Sequence, residues 1–370
     1  MEREGRSRAP LWLSAPSRFA GLPRPRARLV LGLVALLLIG CWTALFVAPP
    51  PPAQGANAMT DVALYESIVA SVRHGGDYYA AAAHALRTGE YPLRPFLTFR
   101  LPTLAVLQGA LPEWAPPAML YLLAAAVAVA WFARLRDALP RRVPILVAMA
   151  LLAGGMLVFV EADLVMFHEI WAAPLIALSL ALRRQGRWIE PVAIGMIAML
   201  FRETAALYVV LMAGMAWLEG ERREAGGWAA ALGLFALVLA AHAYAVAGVT
   251  GPLDPASPGW AGLHGYGFFV KTLTLATALQ LAPLWLAAPF VGLALFGWAS
   301  WNTPLALRAL TIFTAYAAAI GIFGRLDTFY WGLMIAPVFL VGLVFVPDGL
   351  RDLAAAALDT RRVRVQRITR

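Results

Sequence analysis

Ten apolar runs joined by short polar segments constrain this chain more than any other feature. They cover residues 29–48, 115–133, 144–160, 169–182, 189–201, 204–218, 227–248, 283–299, 308–323 and 330–347. A bilayer core takes about 20 apolar residues per helix, because a helix rises only about 1.5 Å per residue. Composition agrees: 61% of residues are hydrophobic, 14% are charged, and mean hydropathy is +0.71. Soluble domains run at about 45–50% apolar and about 25% charged. An ordinary soluble enzyme, a disordered chain and a disulfide-rich secreted module are therefore excluded. The expected fold is all-α, a polytopic transmembrane helical bundle of about ten spans.

Charge orients the bundle. With the N-terminus inside, 23 basic residues fall on the inner side and 7 on the outer, while acids divide 10 to 11. The positive-inside rule then puts both termini in the cytoplasm. The expected layout is a basic arm over 1–28, a membrane domain over 29–348 and a basic tail over 349–370. A cleaved signal ending at Ala56-Asn57-Ala58 is the competing reading of the first run. That run holds about 20 residues, beyond the 7–15 of a signal core, which favours an uncleaved span. The net charge of +9 thus reports orientation and contact with anionic lipid rather than nucleic acid. Cys41 is the only cysteine, so no internal disulfide forms.

Segments 169–182, 189–201 and 204–218 hold only 14, 13 and 15 residues, and the last two flank Arg202-Glu203. Spans this short are tolerated where an end faces water or protein. A polar cavity is therefore expected in the outer half.

The first outer loop, 49–113, opens on Pro49-Pro50-Pro51-Pro52. Tyr65, Ile68, Val69 and Val72 then form one apolar stripe at helical spacing, predicting an amphipathic helix over 61–74. Gly75-Gly76 breaks it, and Asp77 is placed to cap a second helix that closes at Gly89. Such helices lie along the membrane surface. Residues 101–111 are apolar but too short to span, and re-enter or pack on the bundle. A second outer loop, 249–282, is rich in Gly, Pro and aromatic residues and could cover a site.

Four charged clusters sit at the outer ends of the runs: Asp61 with Glu66, Arg73, Asp77, Arg94 and Arg100; Glu161, Asp163, His168 and Glu169; Arg202-Glu203; and Arg325 with Asp327. Ionisable groups at membrane depth are functional candidates. Arginine binds phosphate through paired hydrogen bonds, and a carboxylate can take a proton from an attacking hydroxyl. That set suits group transfer from a lipid-linked phosphate donor. No nucleophile-elbow, zinc-protease, P-loop or dinucleotide motif is present.

The order Asp61-Val62-Ala63-Leu64-Tyr65, Gly75-Gly76-Asp77-Tyr78-Tyr79 and Arg94-Pro95-Phe96 resembles the first outer loop of GT-C membrane glycosyltransferases, such as the aminoarabinose transferases and protein O-mannosyltransferases. The resemblance covers about 40 residues. It implies a GT-C-like fold, a polyprenyl-phosphate-linked sugar donor, an outer-face site and Asp61 as general base. The acceptor would be a lipid, glycan or protein at the periplasmic side of a bacterial inner membrane.

Each residue also has a plainer use. Asp61 and Asp77 can cap loop helices. Arg94 and Arg100 can hold donor phosphate or lipid headgroups. Arg202 with Glu203, and Arg325 with Asp327, can form internal ion pairs or bind phosphate. Glu161, Asp163, His168 and Glu169 could hold a divalent metal, though no ligand spacing supports it, and no cofactor is expected. Two rival functions share the architecture: a lipid or glycan transporter or flippase, and a non-catalytic component of an envelope assembly.

Overall fold

A computed structural model describes residues 9–49, 61–260 and 262–359. The proline run beyond Pro49, the Ala56–Ala58 triplet, the first eight residues and the tail beyond Asp359 lie outside the described residues.

The described chain is helical, with no β-strand among the described residues. The helices are α1 (Arg24–Cys41), α2 (Asp61–Arg73), α3 (Tyr78–Thr88), α4 (Thr103–Ala110), α5 (Ala115–Ala138), α6 (Arg142–Gly155), α7 (His168–Leu182), α8 (Ile189–Phe201), α9 (Ala206–Leu218), α10 (Arg222–Val249), α11 (Gly265–Leu275), α12 (Leu284–Ser300), α13 (Pro304–Phe323), α14 (Ala336–Phe339) and α15 (Val346–Leu358). Five stretches are long and apolar enough to cross a membrane: Arg24–Phe46, Ala115–Ala138, Arg222–Val249, Pro304–Phe323 and Tyr330–Leu358. Five more apolar helices, α6, α7, α8, α12 and the segment Glu203–Leu218, are shorter. Leu29, Leu33, Leu36 and Ile39 of α1 stand more than half exposed, as a lipid-facing stripe does. The chain is a multi-pass membrane protein.

Local chemistry explains several boundaries. Asp77 accepts a hydrogen bond from the Ala80 amide at 2.9 Å and starts α3, and Gly89 ends it. Between α8 and α9 the backbone of Arg202 is extended, so the two helices do not fuse into one. The last stretch differs from the other candidate spans: residues 329–345 are mostly 3-10 helix, and 78% of an 18-residue apolar window within Tyr330–Leu358 is buried in the bundle. Small residues allow this. A Cβ on Gly297 of α12 would lie 1.8 Å from the Gly342 carbonyl oxygen, so the two backbones touch directly. Beside that contact Trp298 is fully buried among Trp131, Phe313 and Phe345, with ring centroids 5.6–5.8 Å apart. Its indole donates to the Phe339 carbonyl at 2.9 Å, which settles its one polar atom.

Two segments carry more structure than the expected layout gives them. The segment 249–282 is not a loop throughout: its residues 265–275 form α11, whose Phe268, Phe269, Val270 and Leu273 are core. Three consecutive apolar aromatic or branched residues need burial on every side, and α11 finds it against α13 and the turn after α1. Within the basic arm, the described residues from 9 onward dock on the bundle. Leu11, Trp12 and Leu13 donate their amides to the buried Asp348 carboxylate at 2.6, 2.8 and 2.9 Å. Ser14 and Arg18 amides bind the Ala138 and Ser300 carbonyls, which lie at the ends of α5 and α12. Residues 10–22 are thus a strap across one end of the bundle.

Candidate functional site

At the other end, α2, α3 and α4 roof a cavity of about 200 Å³. The apolar stripe of α2 faces inward: Leu64, Ile68 and Val69 pack with Leu86, Leu93 and Phe99. Gln108 of α4 ties the roof to the bundle by donating to the Val165 carbonyl at 2.8 Å. A Cβ on Gly109 would sit 2.9 Å from the Val72 side chain, so α4 lies close under α2. The segment 101–111 therefore packs on the bundle.

Asp61, Tyr65, Arg100, His168, Arg325 and Tyr330 all line this space. They come from loops and helix ends far apart in sequence. Asp61 is the first residue of α2, and its Oδ1 accepts from the Tyr91 hydroxyl at 2.7 Å. Tyr91 reaches it because the chain turns sharply after α3: Glu90 has φ +59°, a left-handed backbone uncommon for a residue with a side chain. Burial pushes the Tyr91 phenol above its usual range, and the hydrogen bond to Asp61 adds to the shift. Tyr91 therefore stays protonated and acts as a donor to the carboxylate. A carboxylate accepts several hydrogen bonds, so this contact orients Asp61 without using it up.

Behind the cavity runs a chain of charges. Tyr65 OH accepts from Arg100 Nε at 3.4 Å, and Arg100 Nη1 binds Glu203 Oε1 at 3.1 Å. The same glutamate oxygen accepts from Arg202 Nη1 at 2.6 Å, and Arg202 Nε meets Glu169 Oε1 at 2.6 Å. Arg202 and Glu169 side chains are only 1% and 3% exposed. Two arginines face two glutamates, so the cluster is neutral, the condition under which buried charge is tolerated. Burial raises the Tyr65 phenol, and the Arg100 charge only partly offsets it. The Tyr65 ring also stands edge-on to His168, with centroids 5.1 Å apart.

The fourth cluster closes the opposite wall. Arg325 pairs with Asp327 at 2.7 Å, donates to Ser257 Oγ at 3.4 Å and lies 6.0 Å from the Trp260 ring centre. Trp260 in turn stacks on Trp331 at 5.7 Å. The Arg325 and Asp327 side chains are 29% and 49% exposed. This pair separates at small cost, whereas the Arg202 pair does not.

Several candidates stand elsewhere. Asp77 is an exposed helix cap. Arg94 is exposed, and its Nε donates to the Asp254 carbonyl at 2.9 Å, clamping the loop after α10. Asp163 is exposed on a short turn before α7. Arg202, Glu169 and Glu203 belong to the supporting ion cluster and do not line the cavity. Glu169 is taken by Arg202, and no group of three His, Cys, Asp or Glu residues placed to hold a metal occurs among the described residues.

Tyr91, Tyr330, Gln108 and Trp260 also line the cavity and carried no sequence signal of a site. Tyr91 lies 30 residues from Asp61, inside a turn no motif marks. Comparison with family models, with curated proteins and with solved structures finds no match to the chain.

Proposed function

We propose that this chain is a GT-C-like membrane glycosyltransferase that moves a sugar from a polyprenyl-phosphate carrier to an acceptor hydroxyl. The observation that carries the reading is the single cavity lined by Asp61, Arg100, Arg325 and a set of aromatic rings. A carboxylate for the proton, arginines for the phosphate and aromatic faces for the sugar are the parts this chemistry needs. The volume of about 200 Å³ is below the roughly 300–1,000 Å³ of whole-ligand pockets, so it admits the reacting head group of a larger molecule.

In this mechanism the acceptor oxygen attacks the anomeric carbon as Asp61 takes its proton. The bond from that carbon to the phosphate oxygen breaks on the opposite face, with inversion. Arg325 meets the charge on the leaving phosphate, because its pair with Asp327 is the one open enough to rearrange. Arg100, fixed between Tyr65 and Glu203, supplies positive potential rather than a mobile clamp. Tyr91 holds Asp61 in place.

The reading extends to ten spans, with the cavity on the periplasmic side of a bacterial inner membrane. Support comes from the arginines at the far ends of the helices, among them Arg134, Arg142, Arg183, Arg222 and Arg308. A reporter fused at position 220 is then cytoplasmic and one at 258 periplasmic.

The decisive assay reconstitutes the protein in vesicles with polyprenyl-phosphate-linked sugars and a mixture of lipid and peptide acceptors. Sugar transfer is expected. Movement of the lipid across the bilayer with no transfer would replace this reading with a flippase, and neither activity would favour a non-catalytic component.

A further inference from the structure

A second cavity, of about 1020 Å³, lies at the opposite end of the same helices. Helix α7 runs from His168 in the first cavity to Arg183, just past its C-terminus, in the second, and α13 runs from Arg308 there back toward Arg325. The strap supplies one wall through Leu13, Ser14, Ala15, Pro16 and Arg18. Five arginines line the space (Arg18, Arg134, Arg183, Arg184 and Arg308) against three acids, Asp137, Glu219 and Glu221.

The acids do not satisfy the arginines. Arg183 and Arg308 share one oxygen of Glu219, at 3.3 and 2.5 Å. Arg183 has a second partner in Glu224 at 2.7 Å. Arg308 has none: its side chain is 1% exposed, and its Nε and Nη1 are buried without a hydrogen-bond acceptor. Arg18 donates from Nη2 to the Trp301 carbonyl, but its buried Nε is likewise unaccepted. Arg134 spends its donors on the Ala181 and Arg183 carbonyls, which cancel no charge. Leaving charged donors buried and unmet is costly; these nitrogens are closed off from the open space, so an anion there is drawn by the guanidinium charge and meets them once the side chains turn toward it.

We propose that this strap-walled pocket is a binding site for a phosphate-bearing ligand, separate from the Asp61 cavity. Arg308 and Arg18 turn their unmet donors toward the ligand, Arg184 adds charge at the mouth, and the strap forms one wall. Its volume lies at the upper end of the range of about 300–1,000 Å³ seen for small-molecule sites, enough for a phosphorylated headgroup or a soluble phosphate ester. The inference does not depend on the reaction proposed for the other end.

The test uses the full chain in neutral detergent, titrated with pyrophosphate by calorimetry. In parallel, thermal stability is measured in phosphatidylcholine nanodiscs with and without phosphatidylglycerol. A soluble ligand source predicts pyrophosphate binding, and a lipid source predicts stabilisation by phosphatidylglycerol alone. In either case Arg308→Gln weakens the effect at least about tenfold, the equivalent of one charge-assisted hydrogen bond. Arg184→Gln, an exposed position that leaves folding intact, weakens it in the same direction. Arg325→Gln, at the other cavity, removes at most a separate binding event and leaves the one that Arg308→Gln and Arg184→Gln weaken. No response to either ligand, or a response lost in Arg325→Gln and kept in Arg308→Gln and Arg184→Gln, would overturn the proposal.

Discussion

Replacing Glu169 by Gln probes the charge cluster that underlies the first cavity. The substitution keeps size and hydrogen-bonding capacity but removes one negative charge from a neutral set of two arginines and two glutamates. Removing one partner of a buried pair costs about 3–5 kcal/mol. Arg202 retains Glu203, which puts the cost near the lower value, about 3 kcal/mol. Unfolding entropy scales at about 2.1 cal/mol/K per residue, so 370 residues give about 0.8 kcal/mol/K. The expected fall in Tm is then about 4 °C, measured by thermal denaturation in detergent. A membrane protein that keeps its helices on denaturation has a smaller entropy change, so this figure is a lower bound. Asp327→Asn breaks a partly exposed pair instead and should cost at most about 1 kcal/mol, or about 1 °C. The double change Glu169→Leu with Arg202→Met should recover much of the loss, since an apolar pair needs no compensation. If Glu169→Gln lowers Tm no more than Asp327→Asn does, the cluster is not what holds this end together.

Three further outcomes are expected. Gly297→Ala places a methyl 1.8 Å from the Gly342 carbonyl and should cost at least about 1–3 kcal/mol, while Gly214→Ala, inside α9 with nothing within 4 Å, should leave Tm unchanged or raise it slightly. Asp348→Asn removes the charge that gathers three strap amides, so limited proteolysis should cleave within 10–22 in the variant and spare the wild type. Arg87 and the Gly251 amide bind Asp254 and hold its carboxyl at about 2, below the usual aspartate value of about 3.9. A depressed pKa adds stability above the unfolded value that is lost as pH falls through the folded one. Pepsin should therefore spare 250–257 at pH 4 and cut it near pH 2, while Asp254→Asn is cut at both.

Much of this architecture was legible in the chain. The ten apolar runs are all helical, and the stripe at Tyr65, Ile68, Val69 and Val72 forecast α2 within one residue of its end. Asp77 and Gly89 announced both ends of α3 because caps are local chemistry. What escaped was tertiary. An apolar period cannot separate a lipid-facing helix from one buried inside the bundle, so the burial of 330–358 and the 3-10 winding within it were hidden. The sequence of α11 was masked by its Gly- and Pro-rich surroundings. At the candidate site, charge at the ends of the apolar runs pointed to regions that the fold brings together, but not to what each side chain touches. Arg202 and Arg325 look alike in the sequence, yet one is locked between two glutamates and the other lies open to the cavity. The strap was invisible because its anchor is Asp348, more than 330 residues away.

The central claim is that Asp61 takes the acceptor proton. Its most direct test is the initial rate of sugar transfer in reconstituted vesicles, compared between wild type, Asp61→Asn and Tyr91→Phe at equal protein. Loss of a general base lowers kcat by about 100- to 10,000-fold, so Asp61→Asn should fall into that range with KM for the donor little changed. Tyr91→Phe, which frees the carboxylate without removing it, should lose far less. Transfer that proceeds at the wild-type rate in Asp61→Asn would contradict the account.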